Sequence, residues 1–503
     1  MSSTTTKGTA MTHQQTSHPR ESAVLQAVPT QLLIGGKWRP ATGERTYQVE
    51  DPATATPLCS VADATPDDAL DAVTAASQAQ PQWAQHPPRE RGEILRRAFE
   101  LITQRHEDLA LLMTMEMGKP LAESRAEITY AAEFFRWFSE EAVRISGDYS
   151  VAPNGSGRFL VMRQPVGPAV LITPWNFPMA MGTRKIGPAI AAGCTAVIKP
   201  AHQTPLSMLA LADILIEAGL PDGVLNVITT TSASAVSEPM IRDPRVRKLS
   251  FTGSTAVGRA LIEQSAQQVL KVSLELGGNA PFIVFDDADL DAAVDGAMLA
   301  KMRNTGEACT AANRFYVHAD LADEFARRIA DRMAELRIGR GVSDNVDVGP
   351  LIDQNQLNKV DELVSDAVSR GAEVLTGGTR HDGPGYFYRP TVLTNVPVEA
   401  RLSCEEIFGP VAAITPFTDE QAVIDQANDT EYGLVSYLYT RDLQRALRVT
   451  EALQTGMVGL NQGLVSNPAA PFGGVKHSGL GREGGKVGID EFLETKYVAI
   501  GGL

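Results

Sequence analysis

The chain has 503 residues, 43% of them hydrophobic and 21% charged, the composition of an ordinary soluble globular protein large enough for two or three domains. Its 45 basic and 60 acidic residues leave a net charge of −15, which disfavours nucleic acid and anionic membrane as partners, and no apolar run approaches the ~18 residues of a membrane span. Cys59, Cys194, Cys309 and Cys404 lie far apart with no Cys-x-x-Cys pair, so neither a zinc site nor a disulfide framework is expected, and a cytoplasmic location is.

Residues 1–28 are rich in Ser, Thr, Gln and His without an apolar stretch, and are expected to form a disordered tail rather than a signal peptide. Residues 32–38 read as a short strand and turn. From 66 to 140 the pattern is helical, with an alanine-rich stretch at 67–77 and apolar residues at helical spacing over 91–112 (Ile94, Leu95, Ala98, Leu101, Ile102). Residues 147–166 hold the turn Pro-Asn-Gly-Ser-Gly between two weakly alternating stretches and read as a β-hairpin arm. Strands then alternate with helices: strands at 166–172, 195–198, 224–228 and 249–252, helices at 181–192, 206–218 and 255–264. A second such run starts at 280 and continues to about 470. This order predicts an α/β fold built on a parallel, doubly wound sheet.

Several short segments carry chemistry. Cys309 follows Gly306-Glu307-Ala308; a thiol is a strong nucleophile once partly ionised, although a lone cysteine is more often a small buried apolar residue. Glu275, in Leu274-Glu275-Leu276-Gly277-Gly278, ends a strand and offers a general base. Asn176 sits between Pro174 and Pro178, and a rigid amide there suits an oxyanion donor as well as a solvated loop. Gly253-Ser254 lies where a strand hands over to a helix, a place that binds phosphate, yet Gly and Ser also serve turn geometry, and no G-x-G-x-x-G follows any strand. Lys199 ends a parallel strand, at the rim where α/β sheets bind ligands or where a lysine is simply solvated.

Together the motifs ITPWNFP (172–178), VIKPA (197–201), FTGSTAVG (251–258), LELGGNAP (274–281), GEACTAANR (306–314), EEIFGP (405–410) and PFGGVKHSGLGRE (471–483) resemble the aldehyde dehydrogenase superfamily from about residue 30 onwards, with the nearest likeness to bacterial succinate-semialdehyde dehydrogenases. The resemblance implies a Rossmann-like cofactor domain (29–146 with 166–276), an α/β catalytic domain (277–474) and an oligomerisation arm (147–165 with 475–503), hence a homo-oligomer, dimer or tetramer. It implies that Cys309 attacks an aldehyde, that Asn176 and the Cys309 N–H hold the oxyanion, and that Glu275 activates the hydrolytic water. Lys199 and Glu406 would hold ribose hydroxyls, Phe408 would pack by the nicotinamide, Ser254 would touch the pyrophosphate, and Trp175 and Gly253 would line the same site.

Two departures bear on the cofactor. His202 replaces the Glu of many NAD-using members, so NADP is expected to be preferred with NAD possible, and segment 229–237 lacks the glycines common in relatives. Arg184, Arg303 and Ser466 match positions that relatives use for the carboxylate of succinate semialdehyde, so the expected substrate is a short ω-oxo acid aldehyde. The alternatives are a broader aldehyde dehydrogenase, a Cys/Glu thioesterase or acyltransferase, a papain-like hydrolase (which needs a His near Cys309 in space), and a structural protein retaining the fold.

Overall fold

The computed structural model describes residues 19–501. Its core is an eight-stranded sheet in the spatial order Gly479–Leu480, Lys271–Glu275, Lys248–Thr252, Ala169–Ile172, Ala196–Lys199, Leu225–Val227, Leu32–Ile34, Lys37–Arg39. The five central strands run parallel, and both edges are antiparallel. The parallel part of this sheet starts in the middle at Ala169–Ile172, winds outward to Leu225–Val227, then crosses back to Lys248–Thr252 on the other side. Adjacent connections therefore leave in opposite directions beyond Ile172 and Thr252, opening a crevice at the carboxyl ends of those two strands. The strands Ala169–Ile172 and Ala196–Lys199 are buried on both faces, which is why they read as continuous apolar runs rather than alternating ones.

A second sheet has seven strands in the order Glu373–Thr376, Thr391–Thr394, Val411–Phe417, Ala312–His318, Ala280–Val284, Val435–Tyr439, Met457–Leu460, parallel except at the first pair. A third, three-stranded antiparallel sheet pairs Arg158–Pro165 with both Asp148–Val151 and Leu493–Ile500. Its surface keeps Tyr149, Val151 and Tyr497 exposed. Among the described residues of 475–501, only Leu493–Ile500 belongs to this sheet; Gly479–Leu480 instead completes the edge of the eight-stranded one.

The helical region divides into Pro66–Gln85, Pro88–Gln104, His106–Met117 and Leu121–Glu141. The periodic stretch 91–112 is thus broken at Arg105, whose ψ of 14° turns the chain between two helices. The expected disordered tail needs correction. Residues 1–18 lie outside the described residues, but Pro19–Ala27 is a helix. Val24 is buried in the main core, and Glu21 pairs with Arg340 (Oε2 to Nη2, 2.8 Å). A polar-looking segment is ordered here by Val24 and Leu25 packing on the core and by ion pairs, one of them with a residue 319 positions away. No helix among the described residues is long and apolar enough to cross a membrane.

Candidate active site

The loop after Ala169–Ile172 holds Asn176 in a single orientation. The Asn176 Oδ1 accepts from the Phe177 N–H (3.1 Å), and its Nδ2 donates to the Glu307 carbonyl (3.0 Å). A side-chain amide has two N–H donors, so one remains for a ligand. The Asn176 carbonyl accepts from Lys119 Nζ (2.7 Å) and Asn304 Nδ2 (3.0 Å). Lys119 is itself paired with Glu127 at 2.6 Å, both fully buried, while the other Glu127 oxygen accepts from the N–H groups of Met179 and Ala180 at the start of helix Ala180–Ala192. The amide therefore rests on a charged, satisfied network rather than on proline stiffness alone.

Cys309 lies beyond a turn in which Asn304, Thr305 and Gly306 all have positive φ (55°, 56° and 77°). For the two non-glycine residues this conformation costs roughly 1–2 kcal/mol each. The turn is held by the Glu123 carboxylate, which accepts from the Asn304 N–H, and by Asn304 Nδ2 donating to the Glu307 carbonyl at 2.9 Å. Gly306 is required twice over, since a Cβ there would sit 2.2 Å from the Gly409 carbonyl oxygen. Desolvation pushes the Cys309 thiol up to about 12; Arg184 and Arg303 pull it down, while Glu406 and Glu275 push it further up. The sulfur is thus a thiol at neutral pH, and attack on a carbonyl must be coupled to loss of its proton.

Glu275 ends strand Lys271–Glu275, buried, and both of its carboxyl oxygens lack a hydrogen-bond partner among the described residues. Burial first, and then the charge of Glu483, raise its pKa well above the ordinary range, against Arg184, Lys185 and Arg482. Glu483 is tied to Lys185 Nζ, which donates to Ser250 Oγ as well (3.0 Å), and its second oxygen stands 3.6 Å from Arg184 Nε. A second carboxylate thus stands behind the first.

Trp175, Asn176, Gly253, Ser254, Glu275, Cys309, Glu406 and Phe408 line one pocket of about 200 Å³ at the crevice described above. Trp175 and Phe408 meet edge to face, ring centroids 5.3 Å apart. Ser254 caps helix Thr255–Ala266, its Oγ accepting from the Val257 N–H at 3.4 Å, so free N–H groups of a helix start face the pocket mouth. Glu406 Oε1 accepts from the Gly278 N–H (3.0 Å). The walls come from the carboxyl ends of strands in the eight-stranded sheet and from loops entering strands of the seven-stranded one.

Five expected site residues lie outside that lining. Lys199 is beside it, in register with Ile172 on the neighbouring strand; among the described residues its buried Nζ donates only to the Pro200 carbonyl (3.1 Å), and desolvation lowers its pKa to about 8. His202 lies three residues on, its pKa lowered by desolvation and by Lys199 against the pull of Asp353. Arg184 and Arg303 converge on Tyr130: Arg184 Nη2 donates to the Tyr130 hydroxyl at 2.9 Å, and the Arg303 guanidinium stands 5.9 Å from the ring centroid. Arg184 also stacks 3.9 Å from the Phe472 centroid, and Arg303 4.6 Å from that of Phe177. Ser466, half-buried in the loop after Met457–Leu460, makes no hydrogen bond to either arginine among the described residues.

Glu483, Lys185, Tyr130, Lys119 and Glu127 escaped the sequence reading. One signal was present: Arg184 and Lys185 are adjacent cations in a helix whose 13 residues are all buried, a pattern that demands buried partners.

The family model described as the aldehyde dehydrogenase family matches residues 38–498. A succinate-semialdehyde dehydrogenase of Paenarthrobacter nicotinovorans is 58% identical over 443 residues, 88% of this chain and 98% of that protein. The NADP(+) succinate-semialdehyde dehydrogenase GabD of Escherichia coli K12 is 52% identical over 471 residues, 94% of this chain and 98% of that protein. A crystal structure described as an E. coli NADP-dependent enzyme superposes with a TM-score of 0.94 at 52% identity, covering 96% of this chain and 99% of that one. With a thiol, an amide and a buried carboxyl gathered in one crevice, and a match along nearly its whole length, the chain belongs to the aldehyde dehydrogenase family.

Proposed function

We propose that the protein oxidises succinate semialdehyde, or a similar short ω-oxo acid, to the dicarboxylate, with NADP+ as the preferred acceptor. The observation that carries the substrate end is Arg303. Its guanidinium is half-buried beside the Cys309 turn over the faces of Phe177 and Tyr130 and has no ion-pair partner among the described residues; the nearby Glu123 carboxylate feels its charge but is bound to the Asn304 N–H. A guanidinium in that position is matched by a carboxylate, and charge-assisted bonds of this kind are worth roughly 1.5–3 kcal/mol.

In this reading Cys309 Sγ adds to the aldehyde carbon and its proton passes to solvent through the pocket mouth. The free Asn176 N–H and the Cys309 backbone N–H receive the developing oxyanion. A nicotinamide bound beside Trp175 and Phe408 would supply the hydride acceptor for oxidation of the Cys309 hemithioacetal to a thioester. Glu275, in its carboxylate form, takes a proton from water, which attacks the thioester and releases the acid and the thiol. Lys199 and Glu406 supply a donor and an acceptor for ribose hydroxyls, the Ser254 helix start suits a pyrophosphate, and Trp175 and Phe408 offer apolar surface for the nicotinamide. The three-stranded sheet, with Tyr149 and Tyr497 exposed on it, suits pairing between subunits in a dimer or tetramer.

Arg303→Ala should lower kcat/KM for succinate semialdehyde about tenfold or more while changing that for butanal less than about twofold. Arg184→Ala should lower both, because Arg184 also balances Glu483 and lies close enough to influence Cys309 and Glu275. Steady-state kinetics over aldehydes of increasing length check this; equal losses on both substrates in Arg303→Ala would show a structural arginine.

For the cofactor, a ring held at lowered pKa donates a neutral hydrogen bond at neutral pH and becomes a cation as pH falls. The KM for NADP+ should therefore decrease toward acid while that for NAD+ stays flat, and His202→Glu should favour NAD+ by repelling a 2′-phosphate. Catalytic efficiency with NAD+ equal to that with NADP+ in the parent protein refutes the assignment of His202.

A further inference from the structure

Helix Leu290–Met302 delivers a fully buried lysine, Lys301, to the Gly409 end of the loop that carries Glu406 and Phe408. Its Nζ donates to Asn313 Oδ1 at 2.8 Å and to the Gly409 carbonyl at 3.1 Å, and it forms no ion pair among the described residues. Burial draws its pKa down to about 7, with Glu406 opposing. An ammonium without a contacting counter-ion is an expensive way to fill a core position, and a methionine would occupy the same space without that cost. What a methionine lacks is the donor.

The acceptor explains the need. Gly409 follows Phe408, an aromatic residue held at a φ of 55°. Gln356 Nε2 fixes the same loop from another side, donating to the carbonyls of Phe408 (2.7 Å) and Ile407 (3.2 Å). The Gly409 carbonyl also lies directly on Gly306, the glycine of the Cys309 turn. Lys301 thus leaves the helix that leads into that turn and grips the loop that carries Glu406 and Phe408. Neither Asn313 nor Lys301 lines the pocket.

Resting on the dehydrogenase reading above, we infer that Lys301 is a positioning residue that sets the 405–410 loop against the Cys309 turn and thereby aligns the cofactor for hydride transfer. Because the contacts of Lys301 are Asn313 and Gly409 rather than Arg303 or Cys309, cofactor binding is expected to change more than aldehyde binding or thiol reactivity when it is replaced.

The test compares Lys301→Met with Lys301→Gln, whose shorter amide keeps a donor but does not span both acceptors. Four quantities are read: KM for NADP+, KM for aldehyde, the primary isotope effect with C1-deuterated aldehyde, and the alkylation rate of Cys309 by iodoacetamide without cofactor. Lys301→Met should raise KM for NADP+ about tenfold and enlarge the isotope effect, with aldehyde KM and alkylation rate within about twofold of the parent. Lys301→Gln should fall between the two. If only Lys301→Gln is soluble, it decides alone: cofactor KM and isotope effect equal to those of the parent overturn the inference. Parallel loss of thiol reactivity and cofactor affinity also overturns it, by showing general damage. A parent protein that reduces neither NAD+ nor NADP+ with any aldehyde refutes the dehydrogenase reading itself, separately from Lys301.

Discussion

Cys309→Ala should abolish aldehyde oxidation, lowering kcat by at least about 10⁴-fold, while the protein still binds NADP+. The substitution removes the sulfur and nothing that supports the fold: the turn before it is held by Glu123, Asn304 and the Glu307 carbonyl, none of which uses the thiol. No other cysteine replaces it, because Cys194 is buried with its sulfur donating to the Phe492 carbonyl and neither Cys59 nor Cys404 lines the pocket. Formation of reduced cofactor at 340 nm gives the rate, and quenching of tryptophan fluorescence gives cofactor binding. Persistent turnover in the variant would remove Cys309 from the mechanism.

Glu275→Gln should separate the two halves of the reaction. The first turnover should release about one reduced cofactor per site, after which the rate falls by about 10²–10⁴-fold because the thioester lacks its base. The amide is nearly isosteric, and since neither Glu275 oxygen accepts a hydrogen bond, the exchange forfeits none. The pH dependence follows from the sign of the shift. Burial and Glu483 raise the pKa, so the carboxylate form needed for deacylation is lost at a higher pH than for an ordinary glutamate. The acid limb of kcat should lie above the ordinary carboxylate range and vanish in the variant. The same shift affects stability: a raised folded-state pKa favours the fold below the unfolded pKa, and that advantage is lost as pH rises through the folded one. Glu275→Gln should therefore melt higher than the parent at alkaline pH and gain nothing at acid pH. A variant without a burst, or with a parent-like pH profile, would assign deacylation to another group. Glu483, linked to Lys185 and Ser250, is the nearest alternative.

The parallel α/β architecture was legible because its central strands are buried on both faces while outer helices such as Ala319–Ala334 are buried on one, so contiguous apolar runs alternate with periodic ones along the chain. Asn176, Glu275 and Cys309 were legible for a related reason. Each stands in a short contiguous motif whose backbone is locally encoded: a proline-bracketed loop, the last residue of a buried strand, and a turn closed by a glycine that tolerates no Cβ. Local chemistry did not reveal the support beneath them. Lys185 meets Glu483 across 298 positions and Lys119 meets the Asn176 carbonyl across 57. Arg184 and Arg303 share Tyr130 from a different helix. The helix at Pro19–Ala27 forms on contacts that its own residues do not announce. Buried charge is paired by whatever the folded chain brings within about 3 Å, and that pairing depends on sheet order and crossover, not on spacing along the chain. The motifs name the candidate groups, whereas the tertiary fold alone sets their surroundings, their orientation and which arginine stands without an ion-pair partner among the described residues.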